Sequence, residues 1–503
     1  MDTLTLLMHG FATAMTWEAL FFCFVGVTIG MLIGVLPGIG PLATISMLLP
    51  LTYYLEPSTA LIMLAGIYYG SQYGGSTASI LLNLPGEAGA AVTCLDGYPM
   101  SRQGRAGVAL FVTTIGSFVG GCTAIIVMAL LAPPLGKVAV MLGSAEYFAV
   151  MLLGLIAAVT LIGKSVLKGL VMIVLGLLLG LMGTDVISGQ IRFAFGTPYL
   201  YDGLDLALVA MGLFGVSEIL ASIGSPASNW LSQQKITLRS LLPTREDARR
   251  SVAPTVRGSL IGSLIGVLPG AGTTVAAFMA YAAEKRFSRY RDQLGTGIVE
   301  GVASPESANN AAAQTNFIPT LTLGVPGGAT MALMLGALLI HGIVPGPTLI
   351  TNHPDIFWGL IASFWIGNIM LLILNLPMIG LWVRILQIPY SILYPGILVF
   401  IALGVYTLNY SFVDVIMVGV LGIVGYGMNL LRFEPAPLLL GYILGPMMEA
   451  NLRRSLLISG GDVSIFWTRP LSATLMLLCI ALILYPIVMS LLGRTRVQAA
   501  LEE

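Results

Sequence analysis

Apolar runs of roughly twenty residues, separated by short polar stretches, recur along the whole chain. Residues 106–132, 145–163, 165–183, 204–224, 355–376 and 470–492 are each of the length an α-helix needs to cross a bilayer. The runs are continuous and do not alternate, which argues against a membrane β-barrel. The pattern predicts an all-α polytopic membrane protein with about twelve transmembrane passes and additional broken or re-entrant pieces.

Two interruptions repeat. "GVLPGIG" at 34–40 closes one apolar run, and "GVLPGAG" at 266–272 closes another, 232 residues further on. Extended upstream, residues 26–40 and 258–272 align without a gap and agree at eleven of fifteen positions. Each copy carries glycine at every fourth position: Gly26, Gly30 and Gly34, then Gly258, Gly262 and Gly266. That spacing puts the glycines on one helix face and predicts a packing or sliding surface against another helix. On the sliding reading, Gly262→Leu is expected to block the protein's function while leaving the fold intact. A second pair follows in the same order: "YGGSTASILLNLPG" at 73–86 and "QTNFIPTLTLGVPG" at 314–327. The expected organisation is a first repeat at 1–224, a polar cytoplasmic linker at 225–257, a second repeat at 258–450, and an extra helix with tail at 451–503.

Charge placement gives the halves opposite orientations. The loop after the first GVLPG segment has no basic residue, whereas its counterpart holds Lys285, Arg286, Arg289 and Arg291. After the second motif the bias reverses: Arg102 and Arg105 in the first half, none in "VPGPTLITNHPD". Basic loops are retained on the cytoplasmic side. The chain is therefore read as two inverted-topology repeats, N-terminus periplasmic and C-terminus cytoplasmic. Lys137 and the Arg453/Arg454 pair fall on the wrong side of this scheme.

Composition narrows the function. Hydrophobic residues make up 57% and charged residues 9% of the chain, with 23 basic and 23 acidic side chains. A neutral balance gives no footprint for nucleic acid. Cys23, Cys94, Cys122 and Cys479 have no metal or disulfide spacing, and His9, His341 and His353 are scattered. No P-loop, dinucleotide or zinc-protease pattern is present, and no nucleophile–base pair, so neither an enzyme nor a cofactor is expected. The start, "MDTLTLLMHG", lacks a basic leader region, so no cleaved signal is expected.

The duplicated breaks carry the chemistry. Proline removes a helix hydrogen bond and glycine permits a change of direction. Unpaired backbone inside a membrane survives only where protein or a polar cavity receives it. Free N–H groups at helix starts favour an anion, and bare carbonyls at helix ends suit Na⁺. Candidate substrate-binding residues are Gly38, Gly40, Ser76, Thr77, Asn83 and Gly86 in the first half. In the second they are Gly270, Gly272, Thr273, Thr315, Asn316 and Gly327. Thr44, Asn310 and Thr320 are candidate Na⁺ ligands. Glu306 is the candidate for coupling to Na⁺ or a proton, against the plainer reading of a helix cap or an ion pair with the 285–291 cluster. For each Ser, Thr or Asn the plainer alternative is back-bonding within its own helix.

The strings "GVLPGIGPLATISMLLP", "YYGSQYGGSTASILLNLPG", "LDGYPMSRQGRAG" and "EGVASPESANNAAAQTNFIPTLTLGVPG" resemble the large membrane subunit of the tripartite tricarboxylate transporters, the TctA-like family. The resemblance covers nearly the whole chain. It implies a bacterial inner-membrane secondary transporter for citrate-like and other organic carboxylates, driven by an ion gradient. It also implies two partners: a small four-helix membrane subunit and a periplasmic solute-binding protein. Alternating access, elevator-like or rocking, fits two half-sites at broken helices; a passive organic-anion channel is the alternative.

Overall fold

The structure is a computed structural model that describes residues 3–36, 40–162, 165–185, 188–222, 238–385 and 390–491. Within them the chain is almost wholly helical. The first half runs α1 (Thr3–Ala14), α2 (Trp17–Val35), α3 (Pro41–Thr52), α4 (Pro57–Leu82), a 3₁₀ turn (Ala88–Ala91), α5 (Cys94–Arg102), α6 (Ala106–Val140), α7 (Ser144–Ile162) and α8 (Val166–Gly180). An antiparallel ribbon of β1 (Gly183–Thr184) and β2 (Ile191–Arg192) leads into α9 (Leu206–Ala210), which passes through a π-helical stretch (Met211–Val216) into α10 (Ser217–Ser222). The second half runs α11 (Arg245–Gly266), α12 (Gly272–Phe287), α13 (Glu300–Thr315), α14 (Phe317–Leu323), α15 (Ala329–Ile340), α16 (Pro347–Asn352), α17 (Pro354–Ile385), α18 (Tyr390–Asn409), α19 (Phe412–Leu430), α20 (Pro435–Ile458), α21 (Ile465–Thr468) and α22 (Pro470–Leu491).

Among the described residues, four helices are long and apolar enough to cross a membrane: α2, α6, most of α17, and α19. Helix ends depart from the hydropathy pattern where proline is involved. α6 continues past the expected end at 132, through Pro133 and Pro134, and α17 continues through Pro377. Each proline withholds its own donor and crowds one preceding turn, and the residues beyond it resume the helix. The polar stretch expected as a linker divides. Residues 245–257 are the first turns of α11, because Thr244 and Asp247 form a reciprocal capping box that starts the helix there. Residues 225–237 lie outside the described set.

At the centre are α4 and α13. α4 is buried from Thr59 to Leu81 and α13 along its entire length. The glycine ladders explain how neighbours approach so closely. A Cβ at Gly26, Gly30 or Gly34 would strike the α4 backbone at Met63, Ile67 or Ser71. A Cβ at Gly258, Gly262 or Gly266 would strike α13 at Ser304, Ala308 or Ala312. Both ladders are therefore closed packing interfaces within their own half, backbone against side-chain-free backbone. At Gly262 the two backbones are in contact and leave no room for a leucine, so Gly262→Leu is expected to damage the fold, where the sliding reading expects it to fold.

The outer helices cross between the halves. α8 packs on α20, and α19 packs on the 206–222 segment. One exception to the charge pattern is locally neutralised: Arg453 pairs with Glu449 at 2.6 Å and with Asp185 at 3.0 Å.

Candidate functional site

A cavity of about 300 Å³ opens where the two halves meet. Its volume is at the lower end of the range for small-ligand sites, about 300–1,000 Å³. Three helices begin at its wall: α3 with Gly40, Pro41 and Leu42; α12 with Gly272, Thr273 and Thr274; α15 with Gly328, Ala329 and Thr330. The 3₁₀ turn starts there too, at Glu87 and Ala88. Helix starts leave backbone N–H groups without intrahelical acceptors and carry partial positive charge. The remaining wall is Tyr68 and Gln72 of α4, with Asn316 and Met331. Among the described residues no lysine or arginine lines the cavity, and Glu87 is its one ionisable acid.

The backbone at the breaks accounts for this convergence. α4 ends at Asn83 with φ +56°, and α14 ends at Gly324 with φ +70°. Both residues stand two before their Pro-Gly pair, and a left-handed residue is how a helix commonly stops and turns. The turn after α4 brings Gly86 against the backbones of Gly34 and Gly75, where a side chain has no room. Glu87 then caps the 3₁₀ turn, its Oε2 accepting the Gly89 N–H at 2.9 Å.

Polar side chains from α4 and α13 fill the space behind the wall. Asn309 Nδ2 donates to Glu87 Oε1 at 2.9 Å. With its amide turned to suit its neighbours, Gln72 donates to Glu87 Oε1 at 3.0 Å and to Asn309 Oδ1 at 3.1 Å. One residue along, Asn310 Nδ2 donates to Glu306 Oε1 and to Ser117 Oγ. Glu306 is fully buried and accepts further bonds from Ser117 at 3.0 Å and Thr93 at 3.1 Å. Adjacent asparagines thus hold the two acids of the region, one at the cavity and one behind it. Asn316 Nδ2 donates to Tyr68 Oη at 3.3 Å, leaving Oδ1 without a partner. Asn310 Oδ1 and Gln314 Oε1 are likewise buried and unpartnered. Buried carbonyl oxygens without donors favour a cation, since leaving such a group unmet costs about 1–3 kcal/mol.

Of the residues singled out from the sequence, Gly40, Gly272, Thr273 and Asn316 line the cavity. Gly86 lines an adjoining cavity of about 280 Å³, which shares Gly40, Leu42, Glu87 and Ala88 with the first. Gly327 packs on the Asn316 side chain, beside the wall. Gly38, with Pro37, lies outside the described residues. Ser76 and Thr77 are buried within α4, and Ser76 bonds back to the Tyr73 carbonyl. Asn83 is exposed at the end of α4. Gly270, at φ +79°, packs on Ala158 of α7, and Thr315 bonds back to the Ala311 carbonyl. Thr44 and Thr320 bond back to Gly40 and Asn316 carbonyls, and Asn310 joins the Glu306 group. No hydrogen bond among the described residues links those three. Glu306 makes no ion pair with the 285–291 cluster among the described residues; its partners are neutral donors.

Gln72, Tyr68, Thr274, Thr330 and Glu87 were not singled out as substrate residues. Glu87 follows directly on the Pro85-Gly86 pair, which is the signal that would have found it. No group of three or more His, Cys, Asp or Glu side chains suited to a metal ion occurs among the described residues.

Comparison with known proteins agrees with the resemblance seen in the motifs. The model of the "Tripartite tricarboxylate transporter TctA family" matches residues 20–440. A protein of Agrobacterium vitis described as "Uncharacterized 52.8 kDa protein in TAR-I ttuC' 3'region" is 51% identical over 493 residues, 97% of this chain and 98% of that protein. Another from the same organism, "Uncharacterized protein in TAR-II ttuC' 3'region", is 53% identical over 232 residues, 46% of this chain and 96% of its own length. No solved structure matches.

Proposed function

Because the chain belongs to the tripartite tricarboxylate transporter TctA family, a transporter family and not an enzyme family, we propose that it is the large membrane subunit of a bacterial inner-membrane importer of tricarboxylates or related organic carboxylates, driven by Na⁺ or protons. The observation that carries this is the meeting of three helix starts and one 3₁₀ start at a cavity with no basic side chain among the described residues. Backbone N–H groups with Thr273, Thr274, Thr330 and the Asn316 amide are the donors for a carboxylate. A periplasmic solute-binding protein would deliver the substrate, and a small four-helix subunit would complete the membrane complex.

Two inverted repeats are part of this reading. The ladder repeat, the left-handed residues at Asn83 and Gly324, and the equivalent packing of α2 on α4 and α11 on α13 support it. So does the reversal of loop charge. In this topology the N-terminus is periplasmic and the C-terminus cytoplasmic. Movement of a substrate-bearing body past a scaffold would give alternating access, with the ladders inside the bodies and not between them.

Glu87 favours symport over a passive channel. Two like unit charges 4 Å apart repel by about 4 kcal/mol at an effective dielectric of about 20. A carboxylate beside Glu87 is therefore admitted only with a proton or a cation between them, which ties substrate to the coupling ion. The unpartnered oxygens of Asn310, Gln314 and Asn316 favour Na⁺ as that ion. Glu87 takes the coupling role here, and Glu306, behind the wall, is held by neutral donors. The test is uptake by vesicles holding this chain, its small subunit and its binding protein. Citrate-class substrate should accumulate against its gradient only under an inward Na⁺ or proton gradient. Uptake indifferent to every imposed ion gradient would overturn the proposal and favour the channel.

A further inference from the structure

A second cavity lies in a basic region away from the substrate site. It is a groove of about 740 Å³ between the first turns of α11 and the segment after α12. Five arginines line it: Arg245, Arg249, Arg250, Arg257 and Arg289. Two are committed to buried acids. Arg250 grips Glu300 at 2.7 and 2.9 Å while lying 3.8 Å over the Tyr290 ring, and Arg257 grips Glu284 at 2.8 and 2.7 Å. Arg245, Arg249 and Arg289 have no acidic partner among the described residues. The one other acid at the groove, Glu246, is largely exposed and faces Arg250 at 3.8 Å.

What lies below the groove points to the occupant. Arg245 and Arg249 share a face of α11 with Val252, Val256, Leu260 and Leu264. Those four apolar residues are 49–68% exposed, the condition of a helix stripe facing hydrocarbon. An apolar crevice of about 210 Å³ runs between this part of α11 and Phe111, Val112, Ile115 and Val119 of α6, and it shares Val252 and Val256 with the stripe. Phe287, 65% exposed at the groove's rim, is the aromatic expected at a membrane boundary. Unpaired guanidiniums above an apolar stripe and crevice match a phosphate group joined to acyl chains.

We propose that this groove binds the phosphate headgroup of an anionic phospholipid, with one acyl chain lying in the crevice between α6 and α11. Arg245, Arg249 and Arg289 hold the phosphate oxygens, for which the planar guanidinium fork is suited. Arg250 and Arg257, fixed by Glu300 and Glu284, shape the floor. The site does not depend on the reading of the substrate cavity.

The test uses the full chain, purified in neutral detergent, titrated with phosphatidylglycerol, phosphatidylcholine, or inorganic phosphate with glycerol phosphate. Bound lipid is counted by native mass spectrometry and thermal stability is followed in parallel. Phosphatidylglycerol should bind saturably and raise the melting temperature; phosphatidylcholine and the water-soluble phosphates should do neither at matched concentration. The triple variant R245Q/R249Q/R289Q should bind phosphatidylglycerol on the order of a hundredfold more weakly, given the attraction each basic residue contributes near an anionic lipid. R245K/R249K/R289K should recover most of the loss, which separates charge from folding. Undiminished lipid binding by the glutamine variant would overturn the proposal. Equal binding of glycerol phosphate would also overturn it, in favour of a soluble-anion site. So would an acidic segment of the small subunit cross-linked to this groove in the assembled complex.

Discussion

The two halves use one backbone device and divergent side chains. Each has a glycine-faced helix packed on a buried central helix, followed by a left-handed stop and a Pro-Gly turn. The first half's central helix is apolar apart from small hydroxyls and Gln72, and its turn adds Glu87. The second half's central helix brings amides: Asn309 holds Glu87, and Asn316, just past the helix end, lines the cavity. One half thus contributes the charge, and the other contributes neutral amides that hold it and face the ligand. At both ladders the backbone contacts leave no room for anything larger than glycine, whereas the side chains that the halves bring to the cavity differ.

The largest effect expected is on the scaffold, where the halves should behave alike. Gly30→Leu and Gly262→Leu each drive a side chain into the carbonyl of a facing helix, at Ile67 and Ala308. Overpacking against backbone costs at least the roughly 1–3 kcal/mol typical of crowded cores, out of a net stability of about 5–15 kcal/mol. Both variants should yield little monodisperse protein and a markedly lower melting temperature. Gly380→Leu, where nothing lies within 4 Å, should remain folded. If only one ladder variant collapsed, the structural equivalence of the halves would fail. If Gly262→Leu folded normally and lost only transport, the sliding surface would be restored.

Next comes the difference in charge. Glu87→Gln removes the repulsion that makes a cation obligatory, so substrate should exchange across the membrane without the ion gradient. Concentrative uptake should fall by up to about a thousandfold, as the lost coupling of about 4 kcal/mol implies. Glu306→Gln removes an acid that does not line the cavity. Three neutral donors surround that carboxylate, so its loss should show mainly as lower thermal stability, by about 1–3 kcal/mol, with ion dependence retained. Measuring net uptake and counterflow in both variants checks this. The reverse outcome would make Glu306 the coupling acid, as its sequence surroundings first indicated.

The breaks were legible in the sequence because proline and glycine act locally, so their meaning survives without tertiary knowledge. The facing of polar side chains was not. A helix polar all round, such as 300–315, has no apolar stripe to orient it. That is why Thr315 was expected at the cavity although it turns back to the Ala311 carbonyl, while Asn316, one residue on, lines it. In α4 the hydroxyls of Ser76 and Thr77 drew attention, whereas the cavity takes Tyr68 and Gln72 from the preceding turns. The start of α11 was misplaced because a charged first turn reads as linker unless its capping box is recognised.

The smallest effect expected falls on the amide side of the comparison. The Asn316 amide has two hydrogens; one serves Tyr68, and the other is free for a carboxylate. Its Oδ1 is unpartnered and suits the coupling cation. Asn316→Ala removes both, and the loss of a hydrogen bond to a charged group should raise the substrate KM about tenfold with little change in kcat. Tyr68→Phe removes one neutral hydrogen bond at the wall and frees the amide, so its KM should change less than that of Asn316→Ala, in line with the roughly 0.5–1.5 kcal/mol of a neutral hydrogen bond. The two variants also separate the partners of Asn316. If Oδ1 meets the cation, Asn316→Ala should raise the half-saturating ion concentration as well, and Tyr68→Phe should leave it unchanged. A rise in substrate KM alone would confine Asn316 to the carboxylate and leave the cation to Glu87 and the oxygens of α13.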